Sequence, residues 1–158
     1  MSFSEQVLAQ ILAKARRVKL EMILVGNAAA ALHKVPVMTQ DVDFFVRHTP
    51  MNLKKLRVLA DELGGMLTQP YYPTSRMMRV VAPDFSVDFV FELSSRRRFE
   101  SVRSRAARMK IGAQAIVVAS LEDVIAAKEA AARPKDRATL RILKETLRTQ
   151  KELENETK

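Results

Sequence analysis

TQDVDFFV, residues 39–46, places Asp41 and Asp43 one residue apart and then runs into Phe44, Phe45 and Val46. An exposed acidic turn has no use for that apolar run, and a buried strand avoids the two charges. Successive side chains of a strand alternate, so a strand here projects Asp41 and Asp43 to one face and Val42, Phe44 and Val46 to the other. Two carboxylates on one face repel unless a cation lies between them. A hard divalent ion such as Mg²⁺ suits them, because it takes oxygen ligands together with substrate phosphates. A plainer arrangement, with Asp41 capping a turn and Asp43 half exposed, also accounts for the pair.

The neighbouring segments alternate in type. MILVG (22–26) is a short apolar run closed by glycine and reads as a buried strand. NAAAALHK (27–34) follows as a helix with Asn27 as its N-cap, ended by Pro36. Upstream, Val7, Leu8, Ile11, Leu12 and Ala15 have the spacing of an amphipathic helix over about residues 4–17. Downstream, NLKKLRVLADEL (52–63) is a helix stopped by Gly64 and Gly65. SRMMRVVA (75–82) and FSVDFVFEL (85–93) read as strands joined across Pro83 and Asp84 as a hairpin. In the second of these, Phe85, Val87, Phe89 and Phe91 share a face and Asp88 falls on the other. A mid-strand charge there costs several kcal/mol unless something positive compensates it. A metal shared with Asp41 and Asp43 would do so if the two strands are neighbours.

AQAIVVA (113–119) is a further strand, and SLEDVIAAKEAAAR (120–133) opens as a helix with Ser120 three residues before Asp123. Pro134 suits the first turn of a last helix, and KELENETK (151–158) is predicted to fray. Strands and helices alternating around short loops predict a single α/β (α+β) domain over residues 1–158, a mixed sheet flanked by helices.

Composition removes several chemistries. The 158 residues are 47% hydrophobic and 28% charged, with no cysteine and two histidines. Thiol catalysis, cysteine-ligated zinc and a histidine-rich metal site are excluded. His33, near the end of an alanine-rich helix, reads as a packing or capping residue, and His48 has no recognisable partner. There is neither a G-x-G-x-x-G nor a Walker-type phosphate loop. No stretch approaches a membrane span and no signal peptide is visible, so the expected location is the cytoplasm.

The net charge of +9 is concentrated. RRRFESVRSRAARMK (96–110) holds seven basic residues against Glu100 alone. Arg96, Arg97, Arg98, Arg103 and Arg105 are therefore candidates to meet nucleic-acid phosphates. A solvated helix face or loop is the alternative for this segment. Tyr71 and Tyr72, in PYYP (70–73), are the only tyrosines, so stacking of bases on exposed aromatics is a minor theme at best.

LVGN (24–27), DVD (41–43) and VDF (87–89) together resemble the ordered motifs of the polymerase β-like nucleotidyltransferase superfamily. That family carries a strand ending in hG(G/S), a short helix, a D-h-(D/E) pair and a later third carboxylate. Thr39 before the pair is common in its minimal bacterial branch, and AAKEAAARPKDRATL (126–140) looks like the K…R-x-K-D segment of AbiEii/AbiGii-type toxin nucleotidyltransferases. The likeness spans about residues 20–143. The second residue of the glycine motif is Asn27, where the family prefers glycine or serine.

The resemblance implies an enzyme that moves a nucleotide from an NTP to a hydroxyl, with RNA as one acceptor. Asp41, Asp43 and Asp88 are its implied metal ligands and catalytic acids, and Mg²⁺ its implied cofactor. Gly26, Asn27, Thr39, Lys128, Lys135 and Asp136 are its implied nucleotide contacts. A surface ion pair and a helix-start acid account for Lys128 and Asp136 without chemistry. The second class left open is a non-catalytic domain of the same fold that binds nucleic acid or a protein partner, a second copy of the chain included.

Overall fold

The computed structural model describes residues 4–71 and 76–157. Helix α1 (Glu5–Arg17) starts where Ser4 Oγ accepts the Val7 N–H, and it buries Leu8, Ile11, Leu12 and Ala15 along one stripe. Strand β1 (Ile23–Val25) is buried throughout and leads without a loop into the short helix α2 (Gly26–Leu32). Asn27 is therefore inside α2 and is not its N-cap. Val25 holds that position, with no side-chain bond. The helix also stops before Pro36: His33 is its C-cap, and Lys34 turns the chain at φ 68°.

Strand β2 is shorter than DVDFFV suggested, covering Asp43–Phe45 and leaving Asp41 in the preceding turn. Helix α3 (Pro50–Glu62) begins two residues earlier than its apolar spacing predicts. Thr49 Oγ1 accepts the Asn52 N–H, and Pro50 fits the first turn, where no N–H partner is needed. Gly64, at φ 68°, ends it in the left-handed region that favours glycine.

Strand β3 (Met66–Thr68) follows, a short segment that its sequence did not announce. Strands β4 (Met77–Val81) and β5 (Ser86–Val90) form the predicted antiparallel hairpin, pairing Met77 with Val90 and Val81 with Ser86. Ser75 of the first predicted strand, and Tyr72 and Pro73 of PYYP, lie outside the described residues. The basic segment folds into two pieces, helix α4 (Phe99–Arg105) and strand β6 (Ala107–Ile111). Strand β6 pairs antiparallel with β7 (Gln114–Val118). Helix α5 (Leu121–Ala131) is capped by Ser120, whose Oγ accepts the Asp123 N–H. Helix α6 (Asp136–Glu156) starts after Pro134 and stays helical beyond residue 150, where fraying was predicted.

The seven strands form one mixed sheet in the order β3-β4-β5-β2-β1-β7-β6. Two parallel pairs, β1–β7 and β2–β5, sit among antiparallel ones. Val42, Phe44 and Val46 point into the core as the alternation predicted, and Phe44 packs on Phe89 with ring centroids 6.2 Å apart. Among the described residues, no helix is long and apolar enough to cross a membrane.

Candidate active site

Asp43 and Asp88 are register partners on the parallel strands β2 and β5. The Asp88 N–H donates to the Val42 carbonyl at 3.0 Å, which fixes that register from the backbone. The two carboxyl groups stand close enough to share a hydrogen bond when one of them is protonated. Burial, the charges of Asp88 and Asp41, and this bond push the Asp43 carboxyl up to about 7.

Asp41 reaches the same place from the turn rather than from the strand. Thr39 shapes that turn: its Oγ1 donates to the Asp41 carbonyl at 2.8 Å and accepts the Asp41 N–H at 3.2 Å. Gly26 closes the site where β1 passes into α2. It adopts φ 68°, and a Cβ there would lie 3.2 Å from Asp43 Oδ2. Only glycine combines that backbone with so close an approach. Beside it, Asn27 Oδ1 is buried with no hydrogen-bond partner.

Asp88 has a compensating cation, and it is a side chain. Arg79, its partner across the β4–β5 hairpin, donates from Nε to Oδ1 at 2.6 Å and from Nη2 to Oδ2 at 3.1 Å. Arg79 went unrecognised in the sequence although hairpin register places it opposite Asp88. Among the described residues, no three acidic or histidine side chains form a ready metal cage. The donor set nonetheless suits a hard divalent ion. It consists of carboxylate oxygens, with Asp43 raised first by burial and then by its acidic neighbours, next to an orphaned amide oxygen.

Lys128, Lys135 and Asp136 line one cavity of about 240 Å³ with Gly26, Asn27, Thr39, Asp41 and Asp43. Lys128 is largely buried, 3.6 Å from Asp136 Oδ1. Burial lowers its ammonium below the usual lysine range, against the pull of Asp136. Burial would raise Asp136, but Arg133, at 2.9 Å from Oδ2, and Lys128 hold it below the usual carboxylate range. Arg133 belongs to the R-x-K-D segment and faces this cavity, a role the sequence reading did not give it. A second cavity, of about 220 Å³, adjoins the first and shares Gly26, Asp43, Lys128 and Arg133. Its other walls are mainly apolar, among them Val25, Val90, Leu93, Val124 and Ala127.

The basic segment is drawn largely inward. Asp123 is buried, and it receives Arg97 Nη1 at 2.8 Å, Arg105 Nε and Nη2 at 2.9 Å each, and the Ser120 hydroxyl at 2.9 Å. Burial would raise this carboxyl, but those donors together lower it. Arg103 pairs with Glu21 at 2.9 Å, and Arg47 bridges Glu21 and Glu100 at 2.7 Å each while lying over the Phe99 ring. Three of the five arginines chosen as phosphate contacts, Arg97, Arg103 and Arg105, thus hold the protein's own acids. Arg98 is the N-cap residue of α4, and Arg96 bends the chain at φ 60°. His33 makes a 2.8 Å hydrogen bond with the Ala119 carbonyl, in keeping with its packing role, and His48 stacks on Phe91 at 4.4 Å.

A family model described as "Nucleotidyl transferase of unknown function (DUF2204)" matches residues 4–157. No curated protein matches the chain. Among solved structures, the solution structure of the antibiotic-resistance factor ANT(2'')-Ia is similar, with TM-score 0.65, 16% identity, and 90% of this chain and 83% of that one covered. A crystal structure of ANT(2'')-Ia with adenylyl-2''-tobramycin gives TM-score 0.64 at 17% identity, covering 93% and 91%. TM1012 from Thermotoga maritima, described as a candidate nucleotidyltransferase, gives TM-score 0.64 at 18% identity, covering 86% and 89%. At these identities the likeness is one of fold.

Proposed function

From the chain's membership of the nucleotidyl transferase family DUF2204, we propose that it transfers a nucleoside monophosphate from an NTP to an acceptor hydroxyl, with a divalent ion, Mg²⁺ in the first instance. The observation that carries this reading is the registered pair Asp43–Asp88, set against Gly26 where two cavities meet. A transfer between two substrates needs two adjoining sites with reactive groups at their junction.

In this reading the polar cavity takes the triphosphate, with Lys128, Arg133 and Lys135 facing its charge. The apolar cavity takes the base or sugar. Asp43, Asp41 and Asn27 Oδ1 would hold the ion, which supplies charge neutralisation at the reacting phosphate when bound. The acceptor oxygen forms a bond to the α-phosphorus as the bond to the β-phosphate bridging oxygen breaks, and pyrophosphate leaves. The acceptor proton goes to Asp88, whose carboxylate Arg79 orients. A polyamine such as the tobramycin of ANT(2'')-Ia is a poor acceptor for a chain of net charge +9. A polyanion such as RNA suits that charge, and the likeness of residues 126–140 to AbiEii/AbiGii-type enzymes points to a toxin-type role.

The Arg79–Asp88 pair also favours a second reading. A guanidinium that already neutralises the third acid suits a domain that binds nucleotides or partners without catalysis. Incubation with each labelled NTP, Mg²⁺ and total RNA decides between them. Label should enter RNA with the parent chain and be lost in Asp43→Ala at a melting temperature no lower than the parent's. A parent chain that binds an NTP yet releases no pyrophosphate with any acceptor supports the silent domain.

A further inference from the structure

Along α6, Arg137, Arg141, Lys144, Arg148 and Lys151 recur at alternating intervals of four and three residues. On a turn of about 3.6 residues that spacing keeps all five in one stripe, roughly 80° wide and about 21 Å long. All five are exposed, whereas Asp136 and Leu143 on the other side of the helix are buried. Lys144 and Lys151 lean on Glu129 and Glu122 of α5, at 3.4 and 3.9 Å. Arg137, Arg141 and Arg148 have no acidic group within salt-bridge distance among the described residues.

The stripe begins beside the cavity-lining end of α6 but on the helix face turned away from the cavity. Lys135, Asp136 and Thr139, at the opening of α6, line it together with Asp43. Between residues 133 and 151 seven side chains are basic, and only Asp136 and Glu145 are acidic. A triphosphate is served by Lys128, Arg133 and Lys135. Five further cations along the outer face of α6 match a longer polyanion. The stripe lacks the apolar side chains by which a helix enters a membrane surface or anchors a protein partner. Leu153 is the large exposed apolar residue of α6, and helical phase puts it on a different face. Phosphate backbones are held by charge alone.

We propose that this face of α6 is a binding track for the phosphate backbone of an RNA strand. The track does not depend on the transfer reading above.

The test is anisotropy of a short labelled RNA against salt, in EDTA and without NTP, so that binding is measured apart from catalysis. Arg137→Gln/Arg141→Gln/Arg148→Gln should bind at least about tenfold more weakly, with a log–log salt slope shallower by about two. Arg16→Gln/Lys54→Gln/Arg57→Gln removes the same charge from exposed sites on α1 and α3, and should keep the parent slope. An unchanged slope in the α6 variant, or an equal loss in the control, overturns the track. So does displacement of the RNA by phosphatidylserine vesicles at comparable anion concentration. If the parent binds RNA through α6 but transfers no nucleotide, the track stands and the transfer reading falls. If it transfers nucleotide but binds RNA with no dependence on α6, the track falls alone.

Discussion

Arg79 grips both carboxylate oxygens of Asp88 from the paired position on the adjacent strand, at 2.6 and 3.1 Å. The guanidinium thus occupies the flank of the acid pair and competes with any free cation for Asp88. Replacing it with an uncharged chain of similar length, Arg79→Met, leaves Asp88 and Asp43 to repel each other. Without metal this variant should lose about 1–3 kcal/mol in urea unfolding. Added Mg²⁺ or Mn²⁺ should then raise its melting temperature more than that of the parent. Equal shifts in the two proteins would mean that Arg79 and the ion do not compete.

Asp43 supplies a pH dependence. Its folded value is raised from 3.8 to about 7, so between those values the folded chain keeps a proton that the unfolded chain has released. Stability from this group is therefore full below about pH 4 and lost as pH rises through 7. In EDTA, the parent should lose ground to Asp43→Asn between pH 5 and pH 8, by on the order of a few kcal/mol. Parallel urea midpoints for the two across that range would contradict the raised value.

Gly26→Ala separates shape from charge. The left-handed backbone costs an alanine about 1 kcal/mol, a modest loss of stability. The new methyl, 3.2 Å from Asp43 Oδ2, displaces the carboxylate itself. Nucleotide transfer should drop by a factor of about 100 or more while the protein stays folded. A variant with parent-like turnover would take the Gly26 approach out of the reaction.

Asp123→Asn tests the buried ion cluster. Arg97 and Arg105 would lose their shared partner in a site the carboxylate fills at 1% exposure. The expected loss is about 1–3 kcal/mol, because the guanidinium groups left behind are more than a third exposed and regain water. A loss below about 0.5 kcal/mol would show that the cluster contributes nothing to the fold and would release those arginines for other partners.

The acids were legible because each breaks a local rule: charges at the mouth of an apolar strand, and one in the middle of another. The mixed sheet followed from alternating segment types and the Pro83–Asp84 turn. What escaped depends on contacts between distant segments. The pairing of Arg79 with Asp88 needs the hairpin register, which composition does not reveal. Arg97, Arg103 and Arg105 looked like a free basic patch because Asp123 and Glu21 lie far from them along the chain. The stripe on α6 was present as spacing, yet a regional charge count diluted it with the acids of the neighbouring helix. Asn27 was misplaced because α2 begins directly at Gly26, leaving no room for a side-chain cap.

The parallel pairing of β2 with β5 also governs when the site comes into being. Its carboxylates arise from strands separated by α3, β3 and β4, and its cations Lys128, Arg133 and Lys135 come later still. Such non-local pairing is slow to form, because the intervening chain must be closed before any contact repays the lost entropy. During synthesis, a chain paused before residue 88 holds half of the acid pair and none of those cations. A chain ending after β5 but before Lys128 carries all three acids and none of these cations, so the charge balance of the candidate site is set only once α5 and the turn after it have been made.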